Sequence, residues 1–508
     1  METGNLMNYL LGIDLGTSSL KTIVLSRDGQ ILSADALDYQ FDSPVQGYAE
    51  QDPQVWWHAC VTTVINAVRK AGVSTADITA IGFSGQMHGV VVLDKDYQVT
   101  RPAILHCDAR SGEQVQKINS YIPLEQRRQL FRNPVYPGFM LTSLLWMRDN
   151  EPKNFERIAH VCSPKDYIRY LLTGVFSSEY SDASATLLFD IEKNRWSEEI
   201  LSLTGLPREI FPDCTEPTAV VGKVSASAAE ITGLSRDTLV AAGGGDLTMM
   251  AVGNGMVRNG DGILNIGTSG QVSFQIDKPV INPALNTNMF SSYHSGRWVL
   301  YGATMSAGLC LKWWRQATGN PDYDLVNALV AKAGPGSGGV IFYPYLNGER
   351  CPHLMSDISS CFLGVNASTG YGEMTRAVME GVVFNLRQCA EVCGMLGFTA
   401  DTYLASGGAA RSDVWTQIMA DVFNKPVKRV TGEEQACLGA ALTAGVGAGY
   451  WASLPEAADA VVRYQDRIIE PIPEHTAIYD EYYQIFRDTF PLFSGSLQKL
   501  TNLGRRSC

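Results

Sequence analysis

Clustered basic residues, long apolar runs and the usual hydrolase signatures are all missing from this 508-residue chain, and each absence removes a class of function. Acids outnumber bases, 52 to 40, for a formal net charge of −12 spread along the chain. A nucleic-acid footprint needs clustered Lys and Arg, so no nucleic-acid partner is expected. No stretch of 18 apolar residues exists to cross a membrane, and Met1-Glu2-Thr3-Gly4-Asn5-Leu6-Met7 carries an acid where a secretory leader has its basic region. A cytoplasmic protein without a membrane partner is the expectation. The 11 cysteines are odd in number and irregularly spaced, and Cys389 and Cys393 fall one helical turn apart in an apolar pattern rather than in a metal-type pair. They read as reduced thiols. There is no GxxxxGK[ST] loop, no HExxH and no GxSxG. Gly334-Pro335-Gly336-Ser337-Gly338-Gly339 satisfies GxGxxG but leads into the strand-like VIFYPYL instead of opening a helix, so it fails the dinucleotide context.

What is present is a chain of 45% apolar residues, long enough for two or three cores at about 150 residues per domain. Residues 9–32 read as two strands and the start of a third, YLLGIDL, SLKTIVLS and QIL, jointed at Gly-Thr-Ser and Arg-Asp-Gly. Asp52-Pro53 has the form of an N-cap followed by a first-turn proline, with Val55, Trp56, Ala59, Cys60, Thr63, Val64 and Ala67 at helical spacing behind it. ITAIGFSG and VVVLDKDYQV predict further strands, and helical patterns run over 111–131, 141–149 and 372–396. LVAAGGGD reads as a buried strand entering a glycine loop and then a helix. GILNIGTSGQVSFQI repeats the opening strand, Gly-Thr-Ser turn and strand 251 residues later, close to half the chain. A tandem duplication explains both the offset and the context. The tail after Asp466 is helical in spacing and predicted to cover the second half.

Several positions carry chemistry. A turn of small residues leaves backbone N–H groups uncovered to wrap phosphate oxygens without net positive charge. Gly16-Thr17-Ser18 and Gly267-Thr268-Ser269, one per half, could therefore grip one polyphosphate from two sides, although each alone is also an ordinary turn. Asp14 precedes the first turn, where a carboxylate can hold Mg²⁺ or merely cap the turn. Asp246, after three glycines at the end of a strand, could accept a proton from an attacking hydroxyl or be a plain N-cap. Gln86-Met87-His88 offers an amide, an apolar surface and an imidazole suited to a polyhydroxylated ligand. Asp108 lies close by in sequence and could equally pair with Arg110. Ser406-Gly407-Gly408-Ala409 follows another strand, either for an adenine or ribose or as a tight turn.

In order, GIDLGTSSLK (12–21), EQDPQVWW (50–57), GQMHG (85–89), RPAIL (101–105), SPKDYIRYLLTG (163–174), GGGD (243–246), IGTSG (266–270), PYLNGERCPH (344–353) and SGGAARSDVW (406–415) resemble the FGGY carbohydrate kinase family. The resemblance implies an α/β fold of two ribonuclease H-like, actin-like ATPase domains related by duplication. These are an N-terminal domain over 8–255 and a C-terminal domain over 256–508, with ATP in the cleft between them. It implies ATP-dependent phosphorylation of a ketose's terminal hydroxyl, with D-xylulose to D-xylulose 5-phosphate as the first expectation. Another pentulose, a hexulose or a polyol is the alternative, and an actin-like ATPase or a non-catalytic sugar-binding regulator is a different class. Mapped by motif, Gly16, Thr17, Ser18 and Lys21 and then Gly267, Thr268 and Ser269 would hold phosphates. Gly407, Gly408 and Ala409 would hold the nucleotide, and Asp14 the Mg²⁺. Gln86, Met87, His88, Asp108 and Asp246 would meet the sugar, and Asp246 would be the base. A homodimer is left open as the assembly. Three departures stand out: His106-Cys107 where the nearest branch has Trp-Asn, Leu247 where it has Asn, and Ser143 where the family has lysine.

Overall fold

The computed structural model describes residues 8–506, so the amino-terminal heptapeptide behind the leader expectation lies outside the described residues. The first half opens with β1 (Tyr9–Leu15), β2 (Ser19–Ser26) and β3 (Ile31–Asp38), followed by α1 (Pro53–Ala71) and β4 (Ile78–Gly85). After an inserted region come β5 (Val220–Lys223), β6 (Leu239–Ala241) and α2 (Asp246–Gly253). The strands form one sheet in the order β5-β6-β4-β1-β2-β3, extended by a two-residue strand, Gly244–Gly245, on the end of β4. The second half contains β7 (Gly262–Ile266), β8 (Gly270–Ile276), β9 (Asn288–Ser291), β10 (Trp298–Thr304), α3 (Tyr371–Met395), β11 (Tyr403–Ser406) and β12 (Val427–Arg429). Its sheet runs β9-β10-β8-β7-β11-β12.

The two sheets share one wiring. In each, a hairpin supplies two antiparallel strands, a third adds antiparallel beyond the second, and two later strands add parallel beyond the first. The duplication reaches down to single rungs: Asp14 pairs with Ser84, and Asn265, at the same offset, pairs with Ser406.

Strand periodicity sets the layers. Leu11, Ile13 and Leu15 pack on the side of α1, whose start is fixed by the Asp52 side chain accepting from the Gln54 amide at 2.9 Å. Leu10, Ile23 and Leu25 point the other way, into a core closed by α4 (Gln435–Gly447). That helix comes from the second half of the chain yet covers the first sheet. It lies so close that a β-carbon on Gly12 would stand 1.9 Å from the Cys437 carbonyl oxygen, and one on Gly82 would stand 1.8 Å from that of Ala440. The long helix α5 (Pro473–Arg506) covers the second half, where Tyr343 stacks on Phe486 with centroids 4.5 Å apart.

One helical expectation divides. The 111–131 pattern is two helices, Gly112–Tyr121 and Leu124–Leu130, because Pro123 between them lacks an amide donor and holds extended backbone. Among the described residues, no helix is long and apolar enough to cross a membrane, and the cysteines are free.

Candidate active site

Asp14, two residues before the first turn, acts on Asp246 at the start of α2, and Asn265, two residues before the second, lies against Met250 of the same helix. In the first, the Gly16 amide donates to the Ser19 carbonyl at 2.9 Å, and β1 ends in Asp14. Asp14 Oδ1 is buried with no hydrogen-bond partner, and the carboxyl interacts with the Ser84 hydroxyl rather than with the amides of its own turn. Burial pushes its carboxyl up, against the pull of the Lys21 ammonium. In the second turn, the Gly267 amide donates to Ser269, while the amides of Gly308 and Leu309 close on the carbonyls of Gly267 and Thr268 at 2.8 and 3.1 Å. Asn265, the counterpart of Asp14, places its amide 4.0 Å from Met250 Sδ, one turn along α2 from Asp246.

Asp246 is the first residue of α2; Gly245 is the N-cap, so the plain N-cap reading fails. The Leu247 amide donates to its Oδ1 at 2.7 Å. Asp246 is a solvent-exposed residue, yet protein atoms crowd closely around its carboxyl. That enclosure and the nearby Asp14 push its pKa to about 7.

Beside Asp246 stands an aromatic wall. Met87 is packed so tightly on Gly245 that a β-carbon there would fall 2.7 Å from its Cγ. His88 sits at φ 71°, its Nδ1 2.8 Å from the Ala185 carbonyl, with the Phe139 and Phe290 rings 4.2 and 5.5 Å away. Burial, helped by His106 and then by the charge of Arg350, lowers its pKa to about 3. The imidazole is therefore neutral, with its proton on Nδ1, where the carbonyl needs a donor, leaving Nε2 as an acceptor for a ligand hydroxyl. Arg350 extends its guanidinium over Tyr136, 5.6 Å from the ring centroid. It springs from a tight turn in which the Glu349 carboxylate accepts from the Arg350 and Met305 amides at 2.6 and 3.1 Å. Tyr301 on β10 feels both Arg350 and Asp246.

On the other side of the second turn, a cavity of about 580 Å³ joins Gly267 and Thr268 to Gly308, Gly408, Ala409 and Trp415. Gly407 borders it at φ 79°, where a β-carbon would collide with the Asn265 side chain at 2.6 Å, so only glycine admits this backbone path. Ser412 then caps the next helix, Asp413–Phe423, through the Trp415 amide.

Residues 9–253 match the N-terminal domain of the FGGY family of carbohydrate kinases, and residues 262–448 match its C-terminal domain. The chain belongs to the FGGY family. A xylulose kinase of Lactococcus lactis is 36% identical over 486 residues, spanning 95% of this chain and 97% of that one. One from Bacillus subtilis is 33% identical over 487 residues, with the same coverage. The crystal structure of xylulose kinase from Rhodospirillum rubrum superposes with a TM-score of 0.90 at 27% identity, covering 96% of this chain and all of that one. The protein is thus a sugar kinase, and ATP is its phosphoryl donor.

Within this FGGY chain, three of the residues expected to meet ligand already have protein partners. The Gln86 amide is buried and engages the first turn, 3.4 Å from both Thr17 Oγ1 and the Gly16 carbonyl, so it braces that turn from below. Both Asp108 oxygens accept from Arg110, and one also accepts from the Ala49 amide at 2.6 Å, so the alternative of an Asp108–Arg110 pair is the one realised. Lys21 is paired with Glu434 at 3.0 Å, at the start of α4. Residue-by-residue reading missed Arg350, Tyr301 and Phe290, all from the second half. PYLNGERCPH was visible as a motif, but nothing local showed that its arginine crosses to the wall holding His88. Of the departures, Leu247 is buried in the core and offers only its amide, whereas His106 and Cys107 are exposed, with His106 close enough to Arg350 and His88 to act on the latter.

Proposed function

We propose that the enzyme transfers the γ-phosphoryl of ATP to the terminal hydroxyl of D-xylulose, giving D-xylulose 5-phosphate, with Asp246 as general base. The observation that carries this is the place of Asp246: it opens α2 directly after the glycine-ended strand, next to Gly245, against which Met87 packs, while the following His88 is fixed by the Ala185 carbonyl with a free acceptor nitrogen. The names of the similar proteins supply the ketose. The first half, 8–255, holds the sugar and the base, and the second, 256–508, holds the nucleotide. Asp246 accepts the hydroxyl proton as the oxygen attacks the γ-phosphorus in line with departing ADP. Positioning and charge neutralisation supply most of the rate, since phosphoryl transfer asks little covalent help of the protein.

The backbone amides of the turns 16–18 and 267–269 hold the phosphates from two sides, and Gly407, Gly408 and Ala409 lie against the nucleoside. Asp14 fits Mg²⁺, because its Oδ1 is buried and unpartnered at the phosphate turn. An ion there would be held by one carboxylate, water and substrate phosphates. Bound there, Mg²⁺ would neutralise charge on the β- and γ-phosphates. Because water competes as acceptor, the halves close over the sugar before transfer.

A coupled ADP assay over ketoses, aldoses and polyols tests the reading. The expected result is ADP release dependent on sugar and greatest with D-xylulose. A stronger response to another pentulose, a hexulose or a polyol would move the substrate and point to His106 and Cys107. Sugar-independent release would indicate an ATPase, and sugar binding without release a regulator.

A further inference from the structure

Behind the segment that carries Asp246 lies a group of charges that phosphoryl transfer does not call on directly. Lys165, Asp166, Arg169, Glu179 and Asp182 have side chains fully shut off from solvent. Lys165 Nζ stands 2.7 Å from Asp166, 3.2 Å from Asp182 and 3.5 Å from Glu179, and Arg169 is 3.0 Å from Asp166. Two cations face three carboxylates, and burial raises both Asp182 and Glu179 against the pull of Lys165. Such a group is expensive to assemble and adds little to stability compared with apolar packing, which directs attention to what it holds.

It holds the approach to Asp246 at both ends. Arg169 Nη1 donates to the Ala242 carbonyl at 2.5 Å. Glu179 accepts from the Ser181 amide and hydroxyl at 2.7 and 2.9 Å, and Ser181 Oγ in turn accepts from the Gly245 amide at 2.9 Å. The short helix Tyr180–Ser184 then makes two further links. The Ala185 carbonyl, just past its end, fixes the His88 tautomer. Ser184 Oγ accepts from the Ser291 amide at 3.0 Å, next to the Phe290 that flanks His88 from the second half.

We propose that Ser181, anchored by the buried Lys165 group, is a positioning residue for Asp246, and that residues 178–185 align the base, the sugar-facing histidine and the second half as one unit. The proposal rests on the reading of Asp246 as the base. It also accounts for SPKDYIRYLLTG, a motif that touches neither substrate nor nucleotide in the scheme above.

The experiment compares Ser181→Ala, Ser181→Thr and Asp246→Asn with the unaltered enzyme in kcat, both KM values, melting temperature and the pH profile of kcat. A displacement near 1 Å at a reacting group is worth up to about 10²-fold. Ser181→Ala should therefore lower kcat by about tenfold or more while both KM values stay within about twofold. Its acid limb should move to lower pH, because a loosened base is better hydrated. Asp14 on β1, Tyr301 on β10 and the Leu247 amide on α2, which also face Asp246, are unaltered in that variant. Ser181→Thr, which keeps the hydroxyl, should restore both readouts. If Ser181→Ala does not fold, Ser181→Cys, a weak acceptor of similar size, carries the same comparison.

A lower melting temperature with unchanged kcat and acid limb would overturn the proposal and leave the group purely structural. Normal turnover in Asp246→Asn would instead remove the base assignment. An inactive Asp246→Asn beside a normal Ser181→Ala would remove only the positioning role.

Discussion

Replacing Asp246 by Asn keeps the shape of the side chain and the acceptor that the Leu247 amide uses, but removes the proposed proton acceptor. A general base is worth about 10²–10⁴-fold, so kcat should fall by that factor while the sugar dissociation constant, measured by calorimetry, changes by less than about threefold. The raised pKa adds a second signature. With a midpoint at about 7, the wild-type base is roughly nine-tenths ionised at pH 8 and one-tenth ionised at pH 6. Turnover should therefore fall about tenfold per pH unit below 7 and level off above 8. Stability should respond with the opposite sense. A carboxyl whose pKa is higher in the fold than the ordinary 3.8 favours the fold when protonated, and that contribution is lost as pH rises through about 7. Asp246→Asn should thus gain melting temperature over wild type at pH 8 and show no gain near pH 4. Near-normal turnover in the variant, or a wild-type kcat that is flat from pH 5.5 to 8, would refute the assignment.

Three further outcomes follow from the same geometry. Asp14→Asn removes the neighbouring charge that raises Asp246, so the acid limb of the remaining activity should shift to lower pH, and the Mg²⁺ concentration for half-maximal rate should rise by about tenfold or more in a metal titration. Gly408→Leu meets no atom within 4 Å of its new β-carbon and projects into the 580 Å³ cavity, so KM for ATP should rise by at least about tenfold while sugar binding is untouched. Arg350→Met removes the cation that faces the sugar wall, and a hydrogen bond to a charged group is worth about 1.5–3 kcal/mol, so KM for the sugar should rise by about tenfold with KM for ATP unchanged.

The fold was legible where the chain speaks locally. The hairpins, the capped helix at Pro53 and the glycine-ended strands each carry their cause within a few residues, and the repeated Gly-Thr-Ser turn carried the duplication. Asp246 was legible for the same reason, because three glycines after a strand leave a carboxylate at a strand end. What stayed hidden depends on contacts far apart in sequence. The covering of the first sheet by Gln435–Gly447 rests on Gly12 and Gly82 meeting helix carbonyls more than 350 residues away. Lys21 looked free to meet a phosphate because its partner, Glu434, comes from the same distant element. Asp108 looked available because a motif shows which residue is present but not which donors have already filled its oxygens. Arg350 reaches the site only after the halves are assembled.

The duplication also explains why the cleft has a direction. Two copies of one hairpin would grip a polyphosphate symmetrically, and a symmetric grip cannot distinguish donor from acceptor. The rung preceding each turn breaks that equivalence: Asp14 in the first copy is a carboxylate with one buried, unpartnered oxygen, whereas Asn265 in the second is a neutral amide lying against Met250. A carboxylate beside the phosphates favours a cation and raises a neighbouring acid; an amide does neither. The charge that adds to burial in raising Asp246 therefore comes from one half only, the half that also carries His88. Exchanging the two, as Asp14→Asn with Asn265→Asp, keeps composition and charge but moves the carboxylate to the wrong copy. Activity should not return in the double variant above that of Asp14→Asn alone. Recovery would mean that total charge in the cleft, and not its placement on one sheet, sets the polarity of transfer.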